Sequence, residues 1–457
     1  MRPKSASQPN IILISLDCVR QDRLSCYGNH DTRTPNIDAI ATEGVRFTQA
    51  ICQAPFTTSS LASILTGLYP FNHNIRLLVG QYLAQNIPTL GSLFKQAGYV
   101  TGGFPSVFLL DRNSGFKNGF DVFDDRIETI RDGFRGPWRP GDLTTDALLR
   151  FIETYKKKPF AAWVHYFDPH DYNPGNPDSL LMQNRKIEET DGLIAKLIKS
   201  LKKWRLWEKT LVVITADHGD SFGEHGEYGH GKALYDTTLR VPLIFRWPQQ
   251  LAQGISIEQQ VRLIDILPTI LDLIGCLKTV QSQNIFFDGV SLLPTIKGKD
   301  LNLPAYSETS PVQLFTGDLS ANKEFEDVEM MSLRKNSKKY IFKNKIYELA
   351  TKQKISIGKK VSRFLIINIG EKIDFFLNNF FSPTSPSQEK EELYDLIKDS
   401  AEKRNLASEK RNVCIQMKSD LDALVATKTT IRRSELVDKS DDEMTIIRKE
   451  LKNLGYL

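Results

Sequence analysis

Seven histidines occur in the 457 residues, at 30, 73, 165, 170, 218, 225 and 230, and five of them fall in two short segments. The first segment, WVHYFDPHDYNP, carries His165, Asp168, His170 and Asp171. The second, TADHGDSFGEHGEYGHGKALYDTTLRVPLIF, carries Asp217, His218, Asp220, Glu224, His225, His230 and Lys232. Carboxylate oxygens and imidazole nitrogens at this density suit a divalent metal: zinc, manganese, magnesium or calcium, in an order set by geometry and supply. Asp17 adds a further acid at the end of an apolar run. For any one of these residues the plain alternative is an exposed polar turn at a strand end. Their clustering behind separate apolar runs weighs against it.

Those runs are the elements that must position the chemistry. Asn10–Leu16 stops at Asp17, 161–164 stops at His165, and 211–215 stops just before Asp217 and His218. Short β-branched runs that are apolar on both faces suit central strands of a parallel sheet. Helical stretches at 36–43, 59–65, 89–97 and 184–203 alternate with them, which predicts an α/β sheet covered on both faces. Ligands of such sheets sit beyond the carboxyl ends of the strands, where the polar residues fall.

The composition is that of an ordinary globular chain, with 40% hydrophobic and 25% charged residues, and the length allows a large domain plus a smaller one. The boundary is expected near 315, giving units 1–315 and 316–457. The formal net charge of +5 suits an anionic substrate without requiring nucleic acid, and no helix-turn-helix or RNA-binding signature accompanies it. Five cysteines at spacings that fit no zinc or disulfide pattern read as reduced thiols. With no secretory leader and no apolar stretch of roughly 20 residues, the expected location is cytoplasmic. The lysine-rich 334–360 reads as a solvated strand face. The apolar, aromatic 364–381 reads as core or subunit contact, with a peripheral membrane surface as the alternative. The oligomeric state cannot be read from the sequence.

The blocks DCVRQDRLSCYG, TPNIDAIATEGVRFTQA, LASILTGLYP, DHGDSFGEHG and GHGKALYDTTLRVPLI resemble, in order and spacing, the sulfatase family of the alkaline phosphatase superfamily. EELYDL, NLA and the terminal LKNLGYL are similar to its C-terminal subdomain. The resemblance spans about 10–350 and 391–457. It implies an alkaline-phosphatase-like, mostly parallel mixed sheet sandwiched between helices, with a smaller α+β C-terminal subdomain. The informative departure is at the nucleophile. Sulfatases carry Cys/Ser-x-Pro-x-Arg nine residues before the threonine of a Leu-Thr-Gly segment. Counting back from Thr66 gives Thr57, in the run Thr57-Thr58-Ser59-Ser60-Leu61. Ser59 replaces the proline, Leu61 replaces the arginine, and threonine cannot become formylglycine. Threonine at this place resembles the phosphoethanolamine and phosphoglycerol transferases and related phosphodiesterases, where a metal-activated hydroxyl attacks phosphorus. By that resemblance Asp17, Thr57, Asp217 and His218 bind the metal. His165, His170 and His230 match positions that contact the phosphoryl group or a second metal, and Lys232 matches the lysine that neutralises the anion. Cys18 stands in place of a second sulfatase acid, and His218 in place of an asparagine common in calcium sulfatases. Both changes favour zinc or manganese, with calcium or magnesium as alternatives.

The physical logic agrees. A threonine hydroxyl needs a metal or base to become a nucleophile. Thr57 precedes the helical stretch 59–65, whose N–H groups favour an anion; an ordinary helix N-cap is the competing reading. Lys232 and a protonated His170 or His230 would balance the charge, and a histidine would protonate the leaving group. Asp168 and Asp171 read as loop acids, Arg20 and Asp22 as braces of the first loop, and His73 as a neighbour of the site. The expected function is metal-dependent hydrolysis of a small anionic ester through a covalent Thr57 intermediate. Phosphodiester, phosphomonoester or phosphonate is favoured. A sulfuric ester hydrolase without formylglycine and a non-catalytic metal- and anion-binding relative are the alternatives. The threonine transferases usually carry membrane helices, so a soluble hydrolase is expected.

Overall fold

The computed structural model describes residues 8–79, 81–127, 130–131, 134–135, 138–172, 176–310, 330–344 and 390–427. Thus 364–381 and the terminal LKNLGYL lie outside the described residues.

Nine strands form the main sheet: β1 (Asn10–Leu16), β2 (Val45–Ile51), β3 (Val100–Phe104), β4 (Val122–Phe123), β5 (Phe160–Tyr166), β6 (Thr210–Ala216), β7 (Arg240–Arg246), β8 (Ile255–Ile257) and β9 (Val261–Arg262). Their order is β8-β2-β7-β6-β1-β5-β3-β4, with β9 also paired to β2. All pairings are parallel except those of β7, which runs antiparallel to β2 and β6. Every residue of β1, β5 and β6 is buried, so both faces of the sheet centre are covered. Helices that cover it include α1 (Pro35–Thr42), α2 (Thr57–Thr66), α3 (Leu90–Gln96), α4 (Gly141–Tyr155) and α5 (Ser179–Lys203).

Two boundaries differ from the sequence reading in ways that matter. Strand β5 runs on through Tyr166, so His165 lies within the strand rather than after it. Helix α2 begins at Thr57 itself, with Phe56 in the capping position.

A second, antiparallel sheet takes β10 (Ala305–Thr309), β11 (Met330–Lys335), β12 (Lys338–Lys343) and β13 (Glu391–Asp395) in sequential order, with helix α6 (Arg411–Ala426) packed on it. Its first strand precedes residue 315. Its core of Tyr306, Leu333, Tyr340, Leu393, Cys414 and Leu421 continues into Tyr69, Phe71 and Ile264 of the large unit. Strand β10 is also tied there by polar bonds: Ser307 Oγ donates to the Cys52 carbonyl (2.5 Å), and Thr309 Oγ1 donates to the Gly231 carbonyl (2.6 Å). The lysine-rich run, of which 345–360 lie outside the described residues, corrects its expectation over 334–344. Arg334, Lys339 and Lys343 are buried rather than solvated, and each has a carboxylate partner.

Candidate active site

Register explains the convergence of the two acids. Leu16 of β1 pairs in parallel with Ala216 of β6, so Asp17 and Asp217 leave adjacent strands at one level. Their own amides extend the ladder, Asp17 N–H to Tyr166 O (2.9 Å) and Asp217 N–H to Leu16 O (3.2 Å). Helix α2 is fastened to the same edge by Ser60 Oγ, which donates to the Asp217 carbonyl at 2.6 Å. That bond brings the first turn of the helix, and Thr57, over the acids.

Asp17, Thr57, Asp217 and His218 are all fully buried. Thr57 Oγ1 lies 3.5 Å from Asp17 Oδ2 and 3.4 Å from His218 Nε2. It is the first residue of the helix and not its cap, which is Phe56, and this overturns the N-cap reading. Asp17, Asp217 and His218 each offer one ligand atom, and these three atoms lie within 4.8 Å of one another. His218 Nδ1 faces the Gly219 carbonyl at 2.9 Å. A carbonyl only accepts, so the proton sits on Nδ1 and the Nε2 lone pair points at the acids.

The donor set fits a divalent cation on a second count. Asp17 Oδ1 and Asp217 Oδ2 are buried and have no hydrogen-bond partner. Unfilled carboxylate oxygens side by side are costly unless a cation or proton is shared between them. Burial, followed by the charge of Asp217, pushes the Asp17 carboxyl well above its usual range. Burial raises Asp217 to about 6 and lowers His218 to about 3.

Cys18 takes no part in the cluster. Its φ of 48° lets its amide donate to Asp217 Oδ1 (3.1 Å), while its thiol turns away toward Pro169 O (3.7 Å) and Gln183 (3.4 Å). Gly219 is required by close approach, because a Cβ there would lie 2.2 Å from Thr237 O.

His165, expected to contact the phosphoryl group or a second metal, faces Asp17 in this structure. Its Nε2 lies 3.1 Å from Asp17 Oδ2 and its Nδ1 3.0 Å from Ser15 Oγ, which also accepts from Trp163 Nε1 at 3.0 Å. The other two expected histidines stand together: the ring centroids of His218 and His230 are 4.3 Å apart and those of His170 and His230 5.1 Å apart. His170 stacks on Phe167, and His230 Nδ1 is 3.5 Å from Asp220 Oδ2. Burial lowers both His170 and His230 to about 3. Without a bound anion, burial therefore favours the neutral form of both rings. Lys232 lies near Tyr228 O (3.4 Å), and burial lowers its ammonium only to about 8. It remains a cation at neutral pH.

Among the remaining sequence candidates, His73 is buried between Ser63 Oγ (3.0 Å) and the Ile75 amide (3.0 Å) and does not join the cluster. Asp168 Oδ1 accepts from the Gly141 amide at the start of α4 (2.9 Å), and Asp171 pairs with Lys186. Arg20 braces the loops as expected, bonding Asp22 and Glu224. His225 stacks on Tyr235 at 3.7 Å. The sequence reading did not assign a role to Asp220, which is fully buried, accepts from the Tyr172 hydroxyl and is raised by burial to about 7. Its place two residues after His218 was the available signal.

The mostly parallel sheet gathers acids, imidazoles and a hydroxyl at its carboxyl edge around a candidate metal centre, and the match to a known family makes the chain an ester hydrolase. The sulfatase family model matches residues 9–276, more than half the chain, and the chain belongs to that family. Arylsulfatase H of Canis lupus familiaris is 26% identical over 414 residues, covering 64% of this chain and 73% of that protein. The putative sulfatase yidJ of Bacteroides fragilis superposes with a TM-score of 0.68 at 20% identity, over 94% of this chain and 97% of the other. The phosphonate monoester hydrolase of Agrobacterium radiobacter does so with a TM-score of 0.66 at 19% identity, over 94% and 99%.

Proposed function

We propose that this chain hydrolyses a small anionic ester through a covalent intermediate on Thr57, with a divalent metal held by Asp17, Thr57, Asp217 and His218. The observation that carries the reading is the Thr57 hydroxyl. It does not cap its helix, and it lies 3.5 Å from Asp17 Oδ2 and 3.4 Å from His218 Nε2. A bound cation would lower the pKa of that hydroxyl and neutralise charge on the substrate. Two carboxylates, one imidazole and a hydroxyl, with Cys18 turned away, favour zinc or manganese over calcium.

The residues then divide the work. Thr57 passes its hydroxyl proton to Asp17 Oδ2, the carboxylate oxygen it faces, and its Oγ1 forms a bond to phosphorus as the bond to the ester leaving oxygen breaks. Lys232 meets the equatorial oxygens. His170 or His230 supplies the proton to the leaving oxygen; the arriving anion raises the pKa of either histidine from its depressed value. Water then hydrolyses the threonyl ester. Phosphodiester, phosphomonoester or phosphonate substrates are favoured because the attacking group is an unmodified hydroxyl.

A sulfuric ester is the second reading, favoured by the arylsulfatase and steryl-sulfatase relatives, whose names attach that chemistry to them. Five cysteines without disulfide partners support a reducing, cytoplasmic setting. Among the described residues no helix is long and apolar enough to cross a membrane. The deciding experiment is turnover of nitrophenyl sulfate, phosphate mono- and diesters and phosphonate by protein loaded with manganese or zinc. Faster hydrolysis of at least one phosphorus ester than of the sulfate is expected; the reverse order selects the second reading.

A further inference from the structure

The two carboxylates of the candidate metal centre divide their oxygens. Asp217 Oδ1 accepts from two amides, that of Cys18 (3.1 Å) and that of His218 (2.8 Å). Asp217 Oδ2 accepts from none and lies 3.6 Å from His218 Nε2. On Asp17 it is Oδ2 that faces His165 and Thr57, while the unpartnered Oδ1 lies 3.8 Å from the same Nε2. The two unfilled oxygens therefore converge on one imidazole nitrogen, and Asp217 has a single oxygen left to offer a cation.

The main chain of Cys18 takes up the other oxygen. Its φ of 48° is in the left-handed region, which residues other than Gly, Asn and Asp seldom enter. The turn follows directly on the ladder bond made by the Asp17 amide and aims the next amide at Asp217. Two contacts hold it there. Gln183, fully buried in α5, donates from Nε2 to the Cys18 carbonyl (3.1 Å) and lies 3.4 Å from its sulfur. A carbonyl only accepts, so the amide nitrogen of Gln183 must face it. The Cys18 thiol donates to the Pro169 carbonyl (3.7 Å). A residue with a side chain keeps this conformation only where its surroundings over-determine it, and such residues cluster at functional sites.

We propose that Cys18 and Gln183 are positioning residues for the metal: the left-handed turn at Cys18, held by Gln183, fixes Asp217 as a one-oxygen ligand. This rests on the reading of Asp17, Asp217 and His218 as a metal site. The consequence is selectivity. Calcium fills a large, flexible shell and readily takes both oxygens of one carboxylate. Zinc takes few ligands in a tetrahedral array and is served by single, well-aimed atoms. With Oδ1 committed to two amides, Asp217 suits zinc better than calcium. Once the hold on Cys18 is lost, the carboxylate turns freely, and zinc loses more than calcium does.

The test uses the full chain stripped of metal, with zinc and calcium each titrated alone against a competing chelator. Gln183→Leu removes the donor to Cys18 and should weaken zinc about tenfold and calcium less than about threefold. Cys18→Gly keeps the amide and accepts a positive φ without strain, so its zinc affinity should stay within about threefold of the parent. Cys18→Val, whose branched side chain resists that conformation, should lose zinc as Gln183→Leu does. An equal loss of both metals in Gln183→Leu is what a merely structural role gives and overturns the proposal. Parental zinc affinity in Gln183→Leu or in a folded Cys18→Val overturns it too. So does a loss in Cys18→Gly as large as that in Gln183→Leu, which would make the thiol the working group. Where Cys18→Val does not fold, Gln183→Leu and Cys18→Gly decide. A parent that binds neither metal, or binds calcium more tightly than zinc, overturns instead the reading of the site on which the proposal rests.

Discussion

His165 Nε2 lies 3.1 Å from Asp17 Oδ2, and the same carboxylate oxygen is 3.5 Å from the Thr57 hydroxyl. A buried imidazole backed by Ser15 and Trp163 thus aims the acid that faces the nucleophile. Orienting partners of this kind typically carry a 10–100-fold share of metal affinity. His165→Ala should therefore weaken manganese or zinc binding by about one to two decades in a competitive chelator titration. Turnover at saturating metal should change much less. An equal loss at saturating metal would place His165 in the chemistry instead.

Asp17 Oδ1 and Asp217 Oδ2, unpartnered and buried, should gain most from a cation. At one hundred times its dissociation constant, a metal that binds only the folded chain adds about 2.7 kcal/mol. Thermal melting of the parent should rise with added metal, and that rise should vanish in Asp217→Asn. A rise that survives the substitution would move the metal elsewhere.

Metal binding should be linked to protons. The Asp217 carboxyl is raised to about 6 by burial and Asp17 is also raised, so below that pH the metal-free site is protonated and a proton must leave for the metal to enter. Affinity should fall as pH drops from 7 to 5, by about a decade per pH unit for each proton displaced. Calorimetry in buffers of different ionisation enthalpy should show at least one proton released at pH 6. Affinity that holds constant across this range contradicts the assignment.

Lys339 is fully buried between Asp236 and Glu402. Lys339→Met leaves Glu402 without its cation and Asp236 with Arg334 alone, and should destabilise the fold by about 3–5 kcal/mol. Denaturant unfolding checks this; a change below about 1 kcal/mol would show that the carboxyl groups find protons or water at little expense.

The sheet centre and the convergence of Asp17 with Asp217 were legible because each rests on a local rule. Apolar runs ending at Asp17 and before Asp217 encode parallel strands with acids at one edge, and in-register pairing of Leu16 with Ala216 places them together. The position of His165 was not legible because period and composition do not show where a strand ends; one more pair of residues in β5 places it within the strand and against Asp17. The charge states of His170 and His230 depend on burial, which only the folded chain supplies. The lysine-rich strands misled for the same reason. Lys339 and Lys343 find buried carboxylates contributed by segments about 50 to 100 residues away, and no local pattern announces such partners.

The most direct measurement is peptide mass mapping of metal-loaded protein quenched during turnover of a phosphorus ester, alongside Thr57→Ala. One phosphoryl group on the peptide carrying Thr57, absent in the variant and accompanied by a loss of turnover of at least about a thousandfold, is the expected result. Turnover that persists in Thr57→Ala, or a phosphoryl group on any neighbouring hydroxyl, would contradict the assignment of Thr57 as nucleophile.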